Sequence, residues 1–343
     1  MRITKKSLFY SLLVVLLFFF MFTYELPYYI YKPGATDPLE EMIEIEESST
    51  KSKGDFHLVT VSGGQATPIF LFMAVLFPFH DIVPLEDARP DGISDEQYME
   101  YQLKLMENSH QTSTVVAYRA ANEEVEIVQN GVYVMDVVKE MPAEGKLKTG
   151  DKILQVDGIK VKEAADLVKY VESKQSGEEV EFFIERDGVR QTEKIEVISF
   201  PDQPDKVGIG VRLVNDQEVE VDRNVTIKSG KIGGPSAGLM FALEMYDKLV
   251  DEDITKGYKI AGTGEIDFEG NVLRIGGVDK KVVAADRNDI DIFFVPNENG
   301  RAQSNYEEAK VVAEKIKTEM EIVPVDTFDE AVQYLESLPP KTE

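Results

Sequence analysis

A long apolar run near the amino terminus constrains this chain more than any other feature of its sequence. It extends from Leu8 to Tyr24 and follows the short basic segment 1–6. About 17 helical residues, at about 1.5 Å each, reach roughly 26 Å, the short end of a bilayer span. Residues 7–24 are therefore predicted to form a single transmembrane helix, with the aromatic run Tyr24–Tyr31 at the membrane interface.

The charges that flank this run predict its orientation. Arg2, Lys5 and Lys6 favour the cytoplasmic side, so residues 1–6 are predicted to be a cytoplasmic tip and everything after the span to lie outside the cell. A cleaved signal peptide is the alternative, but no small-residue cleavage site follows Phe22. The prediction is a single-pass protein of the cell membrane with an extracellular main part.

Charge and cysteine content exclude several classes of function. With 37 basic and 63 acidic residues, the net charge of −26 repels phosphate backbones, so no nucleic-acid partner is expected. Zero cysteines exclude disulfides, thiolate catalysis and cysteine metal sites. Neither a metal nor a cofactor is predicted.

The segment between the anchor and the first β-rich block divides into two parts. Residues 25–54 are acidic and polar, which predicts a solvated stalk. Residues 55–124 contain a predicted strand, Phe56–Ser62, and a long helix that ends near Asn122 and begins with a capping box at Ser94 and Gln97. The apolar stretch between them, Pro68–Phe79, is too short for a second span and favours a buried helix or an interfacial segment.

The strand Phe56–Ser62 has no evident partner in its neighbourhood, and a lone strand leaves its backbone groups unpaired. We therefore expect it to join a sheet formed by the C-terminal part of the chain. This arrangement makes residues 55–122 and 201–343 one body, with the block 125–200 inserted between them. From Val207 to Ile227 the alternation of apolar residues predicts two strands of that body's sheet.

Residues 125–200 are rich in strand and turn signals, including the turns Asp157–Gly158 and Asp187–Gly188. The block resembles a PDZ domain of bacterial exported proteases through Gly131–Val134 and the later stretch Leu147–Gly158. The resemblance implies that a peptide adds as a strand to the edge formed by Gly131, Val132, Tyr133 and Val134. A structural β-domain without a ligand is the alternative.

A glycine-rich loop leading into an apolar helix carries the clearest chemical signal. Lys231–Gly238 opens a helix that runs to about Val250 and is apolar nearly all round, which predicts a buried helix. Ser236 lies where the loop meets the helix N-terminus, and backbone N–H groups there can stabilise an oxyanion. The loop residues Gly233, Gly234 and Pro235 are the candidate oxyanion-hole segment.

The base for Ser236 cannot be chosen from the histidines in the usual hydrolase order. Gly234–Gly238 fits a G-x-S-x-G elbow, but all three histidines precede the serine, whereas in α/β-hydrolases the histidine follows it. In the segment Arg274–Arg287, a helical wheel places Lys281 on the apolar side and Lys280 on the polar side. A buried lysine loses its proton more readily, so Lys281 is the predicted base.

Three motifs in order resemble the proteolytic domain of Lon: Gly233–Gly238, Thr263–Ile266 and Ile275–Lys281. The resemblance implies Ser236 as nucleophile, Lys281 as base and Thr263 as a residue that hydrogen-bonds near the lysine. An anchor, a PDZ domain and a Lon-like domain (201–343) together resemble the membrane-anchored PDZ and Lon-type peptidases of Gram-positive bacteria. The predicted fold class is α+β, with a transmembrane helix, a β-rich PDZ-like domain and a Lon-type domain.

The function that the resemblance implies is a serine endopeptidase acting on exported peptides or loosely folded proteins captured by the PDZ domain. No G-x-x-x-x-G-K-[ST] motif occurs in these residues, which predicts activity without ATP. The alternative is a membrane scaffold or adaptor whose protease domain is vestigial. The sequence leaves substrate identity and homo-oligomerisation open.

Overall fold

The computed structural model describes residues 5–48, 52–88, 95–200 and 203–342, and it divides the chain into two units. Unit 1 comprises residues 1–124 and 222–343, and unit 2 comprises residues 125–221. The predicted insertion of one domain into the other is therefore confirmed, although unit 2 extends to residue 221 rather than to 200. The predicted cap residue Ser94 lies outside the described residues.

Unit 1 begins with four helices and four strands. These are α1 (Lys5–Thr23), β1 (Tyr28–Pro38), β2 (Ile43–Ile45), β3 (Asp55–Gln65), α2 (Pro68–Leu76), β4 (Asp81–Pro84), α3 (Leu85–Ala88) and α4 (Asp95–Ala120). Among the residues that the structure describes, no helix combines the length and the apolar character needed to cross a membrane. The structure therefore does not support α1 as a helix that crosses the membrane over residues 7–24, although the large apolar side chains of α1 are exposed.

Unit 2 is built mainly of strands. Its elements are β5 (Val125–Val137), β6 (Lys152–Val156), β7 (Ile159–Lys160), α5 (Ala164–Glu172), β8 (Glu179–Arg186), β9 (Val189–Glu196), β10 (Ile198–Phe200), β11 (Gln203–Gly208) and β12 (Val211–Val221). The main sheet has the order β12-β5-β6-β8-β9, with β7 paired to β6. The two predicted turns lie where expected, between β6 and β7 and between β8 and β9.

The chain then returns to unit 1. The remaining elements are β13 (Val225–Ile227), α6 (Gly238–Leu249), β14 (Lys259–Gly262), β15 (Glu265–Ile266), β16 (Val272–Leu273), α7 (Val278–Asp286), β17 (Ile292–Pro296), a 3₁₀ turn (Glu298–Gly300), α8 (Asn305–Ile316), β18 (Glu321–Val325) and α9 (Phe328–Ser337).

The central sheet of unit 1 joins its two chain segments. Its order is β18-β17-β14-β3-β1-β4, and β3 pairs in parallel with β14, from Asp55 opposite Lys259 to Leu58 opposite Gly262. The prediction that the strand near residue 56 joins the C-terminal sheet is confirmed. The four strands β18, β17, β14 and β3 are parallel, so their carboxyl ends meet at one edge of the sheet.

Helices cover both faces of this sheet because its side chains alternate. Phe293 and Val295 of β17 pack in one buried cluster with α7 and α8. Phe294, which points the other way, meets the ring of Tyr334 on α9. On α6, nine of the twelve residues are buried, as predicted from its nearly uniform apolar character.

Two predictions about chain organisation are wrong. The segment 25–54 is not a solvated stalk, because β1 lies inside the central sheet and Leu39, Ile43 and Ile45 are buried. The segment 207–227 does not supply two strands to the sheet of unit 1. Instead β12 pairs with β5 of unit 2, and β13 pairs with β2. Alternating apolar residues predict strands but carry no information about which sheet receives them.

Candidate active site

Ser236 lies on a short loop that ends where α6 begins. The loop turns at Gly234, whose φ of +90° is readily adopted only by glycine, and Pro235 then restricts the backbone just before the serine. Ala237 is the N-cap of α6, so Ser236 directly precedes the cap and stands two residues before the first residue of the helix. Its carbonyl accepts the N–H of Gly264 at 2.9 Å, which ties the serine to the segment that follows β14.

The helix α4 holds this loop from the other side. The carbonyl of Gln102 accepts the N–H of Gly234 at 2.8 Å. The hydroxyl of Ser109 donates to the carbonyl of Pro235 at 3.1 Å, and that of Ser113 donates to the carbonyl of Gly238 at 2.8 Å. Sequence reasoning missed these contacts. The signal that could have found them is a pair of small polar residues one helical turn apart, at 109 and 113, on the buried face of a long helix.

Lys281 meets Ser236 in the interior of unit 1. Its side chain projects from the first turns of α7, and its residue surface is only 4% exposed. The Nζ atom donates to Ser236 Oγ at 2.6 Å and to Thr263 Oγ1 at 2.9 Å. The structure thus brings the predicted nucleophile, the predicted base and the predicted threonine together around one ammonium group.

Thr263 orients both partners of this contact. It follows β14 directly, is fully buried, and donates from Oγ1 to the carbonyl of Ser236 at 3.0 Å. The same oxygen accepts the hydrogen bond from Lys281. Because one hydroxyl contacts the backbone of the serine and the amine of the lysine, it fixes their relative placement.

The pKa of Lys281 follows from what surrounds it. Burial lowers the pKa of Lys281 from 10.5 to about 7, since the charged form loses its hydration and, among the residues that the structure describes, no carboxylate replaces it. Its hydrogen-bond partners are two neutral hydroxyl groups. Near neutral pH a large fraction of this amine is therefore unprotonated, and its lone pair can accept the proton of Ser236 Oγ.

Lys280 contradicts the prediction that it faces solvent. Its side chain is buried and forms ion pairs with Asp81 of β4 and, at 2.9 Å, with Asp279. Burial acts to lower the pKa of Lys280, but the hydrogen bonds to these carboxylates outweigh it, so the net change is a raised pKa. The helical wheel places Lys280 on the polar side of α7, and that side was expected to face solvent. In the structure, Asp81 of β4 lies against this side and pairs with Lys280.

A groove with a volume of about 760 Å³ opens at Ser236 and Lys281. One wall is the end of β3 from Val59 to Gly63, and the other is the serine loop with the start of α7. Pairing between β3 and β14 stops at Leu58, and within the described ranges no other strand continues on that side. The backbone of β3 beside Ser236 therefore offers an uncovered edge to an extended chain.

The predicted oxyanion segment needs correction. Pro235 has no N–H group, and the N–H of Gly234 is already bonded to Gln102, so of the three predicted residues only Gly233 retains a donor. In the part of the chain that the structure describes, the N–H groups of Ser236 and Ala237 have no hydrogen-bond acceptor. Both residues line the groove, so these two N–H groups replace Gly234 and Pro235 as candidates.

None of the three histidines lies beside Ser236. The ring of His110 packs against Phe241, and burial lowers its pKa to about 4, while burial also lowers the pKa of His57. His80 contacts Phe77. Among the described residues, no cluster of three or more His, Asp or Glu side chains is placed to hold a metal ion.

The predicted peptide-binding edge in unit 2 is not free. Gly131 to Val134 lie within β5, where they pair with β12 residues Asp216 to Leu213 on one side. On the other side, Val132 and Tyr133 pair with β6. The contact of β12 with the start of α5 includes a 2.7 Å hydrogen bond from the N–H of Ala164 to Asn215 Oδ1. A peptide could add to β5 at these residues only by displacing β12.

Comparison with known protein families agrees with both domain types. Residues 211–337 match the Lon protease (S16) C-terminal proteolytic domain, and residues 106–197 match the PDZ domain. The chain therefore contains a Lon-type proteolytic domain, which is a serine endopeptidase domain, and a PDZ domain.

Individual relatives cover only part of the chain. Over 125 residues it is 35% identical to Lon protease 2 of Desulfotalea psychrophila, covering 36% of this chain and 16% of that protein. Over 136 residues it is 31% identical to Lon protease of Campylobacter jejuni, covering 38% of this chain and 16% of that protein. The chain thus spans less than a fifth of these relatives' length.

Among solved structures, the PDZ domain of the SdrC-like protein from Listeria monocytogenes is similar, with 29% identity. That match covers 26% of this chain and 93% of that chain, with a TM-score of 0.24.

Proposed function

We propose that this chain is an ATP-independent serine endopeptidase that cleaves extended peptides with a dyad of Ser236 and Lys281. The observation that carries the proposal is the 2.6 Å contact between Lys281 Nζ and Ser236 Oγ, made by a lysine that has no carboxylate partner in the described part of the chain. A lysine kept only for packing or charge would be solvated or paired, as Lys280 is.

In the proposed reaction, the unprotonated amine of Lys281 accepts the proton of Ser236 while Oγ attacks the scissile carbonyl carbon. The resulting ammonium returns the proton to the leaving amine as the C–N bond breaks, which leaves an acyl-enzyme on Ser236. A water molecule then attacks the acyl carbon, Lys281 again serves as base, and Oγ leaves with the proton. Thr263 keeps the amine aimed at Oγ through both steps.

The groove favours a substrate in extended conformation. The uncovered edge of β3 from Val59 to Val61 can hydrogen-bond to a substrate backbone, as an added strand does. Such binding depends on main-chain groups, so it suits peptides and unfolded segments rather than folded proteins. The N–H groups of Ser236 and Ala237 stand at the nucleophile and next to the start of α6. They are the candidates to stabilise the oxyanion that forms on the substrate carbonyl.

Two finer parts of the proposal rest on sequence. No nucleotide-binding P-loop motif occurs in these 343 residues, which supports cleavage without ATP. Attachment to the outer face of the cytoplasmic membrane through α1 is supported by the exposed apolar side chains of that helix and by Lys5 and Lys6 at its start.

The scaffold alternative has weaker support. A scaffold needs an accessible peptide edge, and β5 is covered on both sides at the residues that would provide it. It also has no use for a lysine whose pKa is lowered beside a serine hydroxyl.

Cleavage of a mixture of unstructured peptides by the purified full chain, without nucleotide, tests the proposal. We expect Ser236→Ala and Lys281→Met each to remove cleavage, and Lys281→Arg as well, because a guanidinium stays protonated. The matched controls are Ser229→Ala, earlier on the same connection, and Lys310→Met on α8; both should retain wild-type cleavage. Activity in Ser236→Ala, or its loss in both controls, would remove the dyad from the proposal.

A further inference from the structure

The helix α2 exposes its apolar side chains instead of packing them. Phe72 is 60% and Val75 is 73% exposed, and Ala74 is the buried residue of the helix. The buried-helix interpretation of this segment is therefore wrong. Four further apolar side chains of this segment are exposed: Phe70, Met73, Leu76 and Phe77. Together they form a contiguous apolar surface, and removing each side chain from water would lower the free energy. We call the surface formed by residues 70–77 the α2 face.

The α2 face lies beside the carboxyl-terminal end of α1. The N–H of Leu26, just after α1, donates to the carbonyl of Ala66 at 2.8 Å, and the N–H of Ala66 donates to the carbonyl of Tyr28. Leu26, Ala66 and Ala74 share a small apolar cluster. The two helices touch, and α1 also exposes its large apolar side chains from Leu8 to Phe22. The apolar surface is therefore continuous from one helix to the other.

The composition of this surface identifies its occupant. From residue 66 to residue 80 the chain has no Asp, Glu, Lys or Arg, although acidic and basic residues total 100 of 343. A second copy of the chain would bring another net charge of −26 close to the first, which opposes such association. A lipid bilayer accepts a wholly apolar, phenylalanine-rich face that ends in polar groups, here Tyr28 on one side and Asp81 on the other.

We infer that α2 lies in the interfacial layer of a lipid bilayer, beside the carboxyl-terminal end of α1. The consequence concerns the groove, because Gly63 and Asp81, which precede and follow α2 in the chain, both line it. A lipid-bound α2 therefore holds the mouth of the groove at the membrane surface. The substrates best placed to enter are extended segments that emerge from the bilayer or lie on it.

This inference rests on the proposed attachment through α1 and is independent of the peptidase chemistry. The chain contains no tryptophan, so one introduced tryptophan reports its own surroundings. The probe is Phe72→Trp, and the matched control is Val311→Trp on α8, where the valine is 66% exposed. Both full-length variants are mixed with phosphatidylcholine vesicles, with and without bromine on the upper acyl carbons. Cleavage of a short soluble peptide is measured in parallel, so that a failed peptidase is recognised separately.

We expect the emission of Phe72→Trp to shift to shorter wavelength and to lose about half its intensity with brominated lipid, as for a side chain about 5–10 Å below the headgroups. Val311→Trp should change in neither respect. The inference is overturned if the protein floats with the vesicles while Phe72→Trp stays unquenched, which would leave α1 as the sole attachment. It is overturned equally if the protein does not float, or if the blue shift depends on protein concentration and not on lipid, which would identify a second copy as the occupant.

Discussion

Lys280 and Lys281 are neighbours on α7, and their ammonium groups meet opposite surroundings. Both side chains are buried, but the pKa of Lys280 is raised and that of Lys281 is lowered. The difference is the presence of Asp81 and Asp279 at the first and their absence at the second. The reactivity of the site therefore depends on burying Lys281 without a carboxylate to pair with it.

Such a lysine is costly to the folded state, and the cost depends on pH. The folded pKa is about 7 and the ordinary value is 10.5, so between these pH values the unfolded chain binds more protons and stability rises with pH. Below pH 7 the full penalty of about 4 to 5 kcal/mol remains.

Lys281→Met should therefore raise the thermal midpoint at pH 6, by about 5 to 10 °C, and by less at pH 9. Thermal unfolding followed by circular dichroism at both pH values measures this, with Lys310→Met as a control that should show no such pH dependence. A Lys281→Met protein no more stable than wild type at pH 6 would contradict the lowered pKa.

For single residues, the sequence was enough to predict the nucleophile, the base and the threonine that orients them, but not the residues that support them. Ser236, Lys281 and Thr263 stand in short motifs with distinctive neighbours. The ion pair of Lys280 depends on Asp81, which is distant in sequence and reaches α7 only through the pairing of β4 with β1. No local pattern encodes that contact.

Among the elements, α4 contacts the serine loop without contributing a reacting group. Its hydroxyls at 109 and 113 bond to carbonyls on either side of Ser236. Ser109→Ala should reduce kcat about fivefold with little change in KM, because one hydrogen bond of about 1 kcal/mol that positions the nucleophile is lost.

The control for this prediction is Thr112→Ala on the same helix, whose hydroxyl donates within α4 to the carbonyl of Asn108. Steady-state kinetics of both variants, with thermal midpoints beside them, separate positioning from stability. If the two variants lose kcat equally, or if Ser109→Ala changes KM alone, α4 does not position Ser236.

Helices and strands could be predicted where the spacing of apolar residues was clear. The sheet that each strand joins could not be predicted, because it depends on strand pairing over long sequence distances. The helix from Gly238 was read from its apolar composition, and it ends as predicted at its C-cap Val250. The strand β12 was recognised as a strand but placed in the wrong sheet. The acidic and polar composition of residues 25–54 led to a stalk prediction, although β1 lies within this segment and its burial does not follow the simple alternation that would have indicated a strand.

For the whole molecule, the insertion of unit 2 gives a direct prediction. Val125 and Val221, the ends of unit 2, are paired residues of β5 and β12, so residues 124 and 222 lie close together. Replacing 125–221 with a short Gly/Ser linker should leave a folded unit 1 that cleaves short peptides by means of Ser236.

Peptide cleavage and circular dichroism of the deleted chain test this prediction, with the same deletion in a Ser236→Ala background as control. An unfolded product would show that unit 1 requires unit 2. Cleavage that persists in the Ser236→Ala background would come from another enzyme. The insertion itself could be predicted from the unpaired strand near residue 56, but the exact junction could not, because β12 crosses it.

If Lys281, unprotonated near neutral pH, is the base for Ser236, the rate of cleavage must follow the titration of its amine. The pH dependence of kcat/KM for a short uncharged peptide, measured with the full chain from pH 5 to pH 10, tests this directly. Activity is expected to rise with pH along a single ascending limb, with a midpoint near the lowered pKa of about 7. An ascending limb centred near 10, the ordinary value for an exposed lysine, or activity independent of pH across this range, would contradict it.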